Sequence, residues 1–126
     1  KDKLKTLKPI IKKMKDCLGD KVKDIKISNR LSGSPSCIVA DENDPTAQMQ
    51  EMMKSMGQMD MPNIKPILEI NPDHEIVKKL KSMRKGKAFE NISLLLYEQA
   101  VIQEGGKLED PSEFVKRLNS VLIKAI

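Results

Sequence analysis

KAFENISLLLYEQAVIQEGGKLEDPSEFVKRLNSVLIKAI, residues 87–126, closes the chain and decides how it is built. It reads as two helices with a short break between them. In the first, Phe89, Ile92, Leu96 and Gln99 recur at helical spacing, as do Ala88, Leu95 and Ile102. Leu94, Tyr97 and Val101 add apolar surface on another side. One apolar stripe means one buried face, whereas a helix apolar nearly all round is covered on several. Gly105 and Gly106 stop it, because glycine takes the left-handed conformation that helix ends often need. Asp110 then offers an N-cap, Pro111 suits the first helical position, and Glu113 completes a capping-box-like pattern. In the second helix Phe114, Leu118, Val121, Leu122 and Ala125 line one face, widened by Val115 and Ile126. Lys116, Arg117, Asn119, Ser120 and Lys124 fall on the other side.

A pair of helices has two outer faces and can cover only one with its own chain. Two readings follow. Either the hairpin packs wholly onto the rest of the molecule, or a second copy covers it in a two-fold four-helix bundle. Periodicity alone leaves both open.

The remainder of the chain fits one domain with a modest core. Two Phe, one Tyr and no Trp mean that this core is aliphatic and methionine-built. The formal charge of +5 is mostly lysine, and it speaks of solubility before it speaks of nucleic acid. Cys17 and Cys37 lie far apart, without a CxxC neighbour, and there is one histidine. That pattern argues against zinc and against a disulfide framework, and fits a reducing cytoplasm. No apolar run approaches the ~20 residues of a membrane span, and no signal peptide opens the chain. The Asn91-Ile92-Ser93 sequon sits inside a helix and is set aside. The chain does not open with Met and reads as a piece of something longer.

From the start, Lys1 to Lys8 reads as a frayed linker remnant. Leu7, Ile10, Ile11, Met14 and Leu18 mark an amphipathic helix with Pro9 in its first turn and Gly19 at its end. Lys21 to Ser28, with Val22, Ile25 and Ile27, reads as a half-buried strand with a break in register. A turn at Ser32 to Pro35 leads to Cys37–Ala40, read as a strand antiparallel to the previous one. The acidic run Asp41 to Pro45 fails as a calcium loop, since Thr46 and Met52 stand where glycine and glutamate are required. It serves better as a helix start, with Asp44 capping and Pro45 at the first helical position.

The helix that follows carries Met49, Met52, Met53 and Met56 at i, i+3, i+4 and i+7. Three readings compete: a core helix, a pliable surface for varied apolar partners, and a copper(I) site built from thioethers. Shortness, an acidic start and closure by Gly57 and Pro62 favour a projecting element over a core one. Ile64 to Ile70 is a third strand, with Pro66 pointing to an edge or a bulge. Asn71 and Pro72 start a helix whose buried set is Ile76, Val77, Leu80 and Met83. His74 reads as a hydrogen-bonding residue of the helix start, since neither a nucleophile nor a second histidine accompanies it. No catalytic residue and no metal ligand set is assigned.

At this point specific blocks accumulate. LGDKVKDIKISNRLSGSPSCIVAD from Leu18, LEINPDHEIVKKL from Leu68, LLLYEQAVIQEGGKLEDP from Leu94 and FVKRLN from Phe114 resemble one family. It is the ninety-kilodalton heat-shock chaperones, in their C-terminal dimerisation domain and especially the bacterial high-temperature protein G type. The resemblance runs from about Leu18 to the end. It implies an α+β fold: a small three-stranded sheet with flanking helices, over 9–86, and a C-terminal helix pair, 87–126, forming a four-helix bundle across a two-fold dimer. It implies a homodimer interface from Phe89, Ile92, Leu95, Leu96, Gln99, Phe114, Leu118, Val121, Leu122 and Ala125. It also implies a projecting helix over 45–56 that offers Met49, Met52, Met53 and Met56 to unfolded client proteins. Pro45 stands where relatives can carry an apolar residue. The family's ATP and Mg belong to an N-terminal domain not represented here, so this segment is expected not to be an enzyme. Neither nucleic acid nor membrane is an expected partner, and the location is expected to be cytoplasmic. Ile126 without an acidic tail fits a bacterial-type member. Two other classes share the methionines: a signal-recognition-type domain binding signal peptides and RNA, and a copper(I) carrier. The first needs a basic, glycine-containing RNA-contacting motif, which is not found.

Overall fold

The computed structural model describes residues 2–28, 33–40, 49, 52–53, 55–57, 65–108 and 110–126. Helix α1 is Asp2–Leu18, strand β1 Asp24–Ile27, β2 Ser36–Val39 and β3 Ile67–Ile70. Three further helices follow: α2 at Glu75–Lys81, α3 at Lys87–Gln103 and α4 at Pro111–Ala125. The described elements form an α+β unit with a small mixed sheet, as the sequence reading has it.

The sheet departs from expectation in its order. β1 and β2 do not pair with each other. β3 lies between them, parallel to β1 and antiparallel to β2. The central place goes to the strand with apolar residues on both faces: Ile67, Leu68 and Ile70 are all buried. Pro66 does not force β3 to an edge, because it stands just before the strand, and its carbonyl accepts from the Lys23 N–H at 2.7 Å. No bulge is needed in β1 either, since Val22 precedes the strand and Ile25 and Ile27 alternate regularly within it.

Register then fixes the inner face. Ile25, Leu68 and Ile38 form one row across the three strands, and Ile27, Ile70 and Ser36 the next. α1 covers this face with Leu7, Ile10, Met14 and Leu18, all buried, and α2 adds Val77 and Leu80. α3 contributes Phe89, Leu94, Leu96, Ala100 and Val101 to the same core. Met14 and Phe89 are fully enclosed, so the core is aliphatic with one methionine and one ring at its centre. The Ser36 hydroxyl donates to the Leu96 carbonyl at 2.8 Å, joining β2 to the middle of α3 inside the core. The Ser93 hydroxyl, on the same helix, is buried and has no hydrogen-bond partner.

Several local readings change. Residues 2–8 are helical rather than a frayed lead-in, because Leu7 falls on the buried face and helix extends back from it. Pro9 thus lies inside α1, where its ring removes one ladder hydrogen bond. The cap of α2 is His74, whose Nδ1 accepts from the Ile76 N–H at 3.1 Å. Asn71 has another task. Its N–H donates to the Pro35 carbonyl, its Nδ2 to the Ser34 carbonyl, and its Oδ1 accepts from the Asp73 N–H. It holds the turn after β3 against the lead into β2. Ile76 is exposed rather than buried, while Met83 is half-buried against the core. Gly19 and Gly105 adopt φ of 55° and 85°, ending α1 and α3 as expected. Asp110 caps α4 by accepting from the Glu113 N–H at 3.2 Å.

α4 leans on α3 through a fork of charge. Arg117 Nε donates to Glu98 Oε1 at 2.9 Å and Arg117 Nη2 to Glu98 Oε2 at 2.7 Å. The side chains are 17% and 9% exposed, so solvent screens the pair weakly. Hydrogen bonding to Glu98 raises the guanidinium above its ordinary value, against the opposing cost of burial. Arg117 therefore faces inward, not outward with its polar neighbours.

Two outcomes follow. Arg117→Met should cost about 3 kcal/mol in denaturant unfolding, because it leaves the Glu98 carboxylate buried without a partner. Glu98→Leu together with Arg117→Met should recover most of that loss; equal cost in single and double variants would show that the pair does not hold α4. The second concerns Asp24, whose carboxyl the Lys15 ammonium at 2.7 Å holds below its ordinary value, helped by the Ile25 N–H and opposed by burial. A lowered folded-state value means the pair stabilises above the unfolded aspartate value, and that this is lost as pH falls through the folded one. The effect is modest, both groups being well exposed. Lys15→Met should move the Asp24 carboxyl titration upward in NMR; an unmoved titration would exclude this cause.

Candidate functional site

The described residues present two apolar surfaces that the fold leaves uncovered. The first runs along α4. None of its 15 residues is buried. Phe114 and Val121 are half-buried, and Leu118 is 36% exposed, Leu122 47%, Val115 49% and Ile123 74%. Ile126, just beyond the helix, is fully exposed. Helical spacing sets Leu118, Leu122 and Ala125 on one stripe, with Val115 beside it. Aliphatic side chains seldom line an uncovered helix to this extent without a partner.

The expected interface residues divide in two. Ile92 and Leu95 on α3 are half-buried and Gln99 is exposed, so they retain surface beside α4. Phe89 and Leu96 do not. They are 0% and 2% exposed, enclosed by the chain's own core, and have little left to give a partner. The difference was hidden in the sequence because helical spacing places residues on a face without saying what covers it. Two features went unread in the sequence. Ile123 lies off the stripe yet is the most exposed large hydrophobic residue within α4. Glu98 left a readable signal, a carboxylate in the middle of the apolar run LLLYEQA, where only a paired charge is tolerated.

The second surface is the methionine stripe. Met49, Met52, Met53 and Ser55 are helical, and the Met56 N–H donates to the Met52 carbonyl at 3.1 Å, one helical turn. Met49, Met52 and Met56 are 53%, 63% and 73% exposed, and Met53 is half-buried. The described methionines are therefore not those of a core helix within this chain. The readings of Asp41 to Thr46, including the Asp44 cap and Pro45, lie outside the described residues.

Other chemistry has little to stand on among the described residues. His74 is occupied as a helix cap. Burial pushes the Cys17 thiol up, with Glu90 and Asp16 adding and Lys85 opposing, so it is a poorer nucleophile than an ordinary cysteine. Among the described residues, no group of three or more His, Cys, Asp or Glu could hold a metal ion. The α2 and α4 N-termini are capped by side chains of their own chain, and the positive-φ glycines stand singly rather than as a phosphate-cradling loop. No helix of the described residues is long and apolar enough to cross a membrane.

Comparison with known proteins narrows the identity. The family described as Hsp90 protein matches residues 1–126. The chain is 52% identical over 120 residues to the chaperone protein HtpG of Treponema denticola, covering 95% of this chain and 19% of that protein. It is 53% identical over 118 residues to chaperone protein HtpG of Vesicomyosocius okutanii, covering 94% and 18%. The HtpG of Legionella pneumophila is 46% identical over 125 residues, covering 99% and 20%. The chain thus spans about a fifth of the length of these curated relatives. A family match over residues 1–126 makes the chain a member of the Hsp90 family.

Proposed function

We propose that this chain is the C-terminal dimerisation domain of an Hsp90-family chaperone. In this reading the α3–α4 hairpins of two copies form a four-helix bundle about a two-fold axis. The observation that carries it is α4 itself: a capped helix with no buried residue and an aliphatic stripe in water. An isologous contact suits such a stripe, because each copy supplies the cover that the other lacks. Leu118, Leu122 and Ala125 lie at its centre, with Phe114, Val121, Ile92, Leu95 and Gln99 around it. Phe89 and Leu96 support the hairpin from inside.

The methionine stripe is a client-binding surface. Methionine is unbranched and polarizable, so one stripe fits unfolded segments of varied shape. Its exposure in the protomer supports this reading over a core helix. ATP and Mg act elsewhere in the longer protein, and this segment is not an enzyme. A reducing cytoplasm suits Cys17 and Cys37, which carry thiols and no disulfide.

Sedimentation tests the dimer. The wild type should run as a dimer, and Leu118→Arg with Leu122→Arg should yield a monomer with unchanged helical content. A dimer that survives dilution in that variant would place the interface elsewhere, and a wild-type monomer would end the reading. Leu96 is unsuited to such a test, since a charge there would unfold the core. For clients, changing Met49, Met52 and Met53 to Gln should weaken suppression of aggregation of a denatured protein several-fold. Stability should shift by no more than about 0.5 kcal/mol per exposed site. Loss of the cooperative unfolding transition in that variant would mean the stripe is core after all.

A further inference from the structure

Part of the positive charge of the chain lines the exposed side of α1. α1 spends Leu7, Ile10, Met14 and Leu18 on the core. Away from that face, Lys8, Lys12 and Lys15 recur at i, i+4 and i+7, all exposed. Like charges at this spacing destabilise a helix. The fold answers only part of the cost: Lys15 meets Asp24 at 2.7 Å, and no described carboxylate reaches Lys8 or Lys12.

The connection between α2 and α3 extends the ladder. From Lys78 to Lys87 every charged residue is a base. Lys85 Nζ reaches Asp16 Oδ2 at 3.0 Å, and Asp16 stands one turn beyond Lys12 on α1. That contact cancels the charge of Asp16 and brings Lys85 against α1, with Arg84 and Lys87 next to it along the chain. Glu90, near Cys17, marks an acidic edge.

We propose that Lys8, Lys12 and Lys15 of α1, with Arg84, Lys85 and Lys87, form a docking surface for an acidic polypeptide segment. It is separate from the α4 and methionine surfaces and does not rest on either. Charge complementarity names the chemistry, and what surrounds the patch selects among polyanions. Phe89 is sealed in the core and Tyr97 is half-buried, so the patch has no exposed ring on which a base would stack. The apolar side of α1 is already used, so it offers no wedge to a bilayer. A string of carboxylates needs neither. Lysine ammonium groups on flexible stems suit a fast, salt-sensitive capture.

The test is calorimetric titration of the 126-residue chain with poly-L-glutamate at low ionic strength. K8Q/K12Q/R84Q should bind about tenfold more weakly, having lost three charges from the patch. K107Q/K116Q/K124Q removes the same charge elsewhere and should stay within about twofold of wild type. The patch variant should also melt no lower than wild type, because it relieves like-charge repulsion. Equal weakening in both variants, no wild-type binding, or a lowered melting temperature in the patch variant would overturn the proposal. So would tighter capture of duplex DNA or phosphatidylglycerol vesicles than of polyglutamate.

Discussion

One fork of two hydrogen bonds governs the C-terminal half of this molecule. The Glu98 carboxylate and the Arg117 guanidinium meet edge to edge at 2.7 and 2.9 Å, largely out of water. α4 has no enclosed side chain of its own, so this bidentate contact, with half-buried Phe114 and Val121, sets its register on α3. A planar fork fixes angle as well as distance, which a lysine at the same place could not do. Geometry here is the point. The aliphatic stripe of α4 faces a constant direction because the ion pair fixes how the helix lies on α3.

The body beneath it is organised by β3. A strand buried on both faces takes the centre of a small sheet, and both edges are then filled by chain segments that precede it. Two polar residues make the arrangement specific. Ser36 ties β2 to α3 through the Leu96 carbonyl, and Asn71 ties the turn after β3 to Ser34 and Pro35. Buried polar contacts of this kind exclude alternative registers that a purely aliphatic core would tolerate. α3 is thus anchored to the sheet through Ser36 and to α4 through Arg117.

Much of this was legible. Helix ends at Gly19, Gly105 and Asp110 follow from local chemistry and fall where the residues place them. The family resemblance, the three strands and a hydrogen-bonding role for His74 at the helix start were also readable. What failed depended on tertiary competition. Strand order was misjudged because adjacency in sequence says nothing about which strand has two apolar faces to hide. Asn71 resembled a helix cap because the same side chain serves turns and caps alike. Phe89 and Leu96 shared a helical face with surface residues, and only the packing of α1 and the sheet reveals which of them are enclosed. Arg117 followed its polar neighbours in pattern, while its actual direction was set by a carboxylate nineteen positions back, as their sequence separation records.

The bare surface of α4 also has a kinetic meaning. Residues of α1, the sheet and α3 gain their burial within one chain, so their assembly is unimolecular and independent of concentration. If α4 gains most of its own only against another copy, its final stabilisation waits on a bimolecular encounter. The sheet and α3 would then consolidate within one molecule, with α4 maturing only when a second copy is abundant enough to be met.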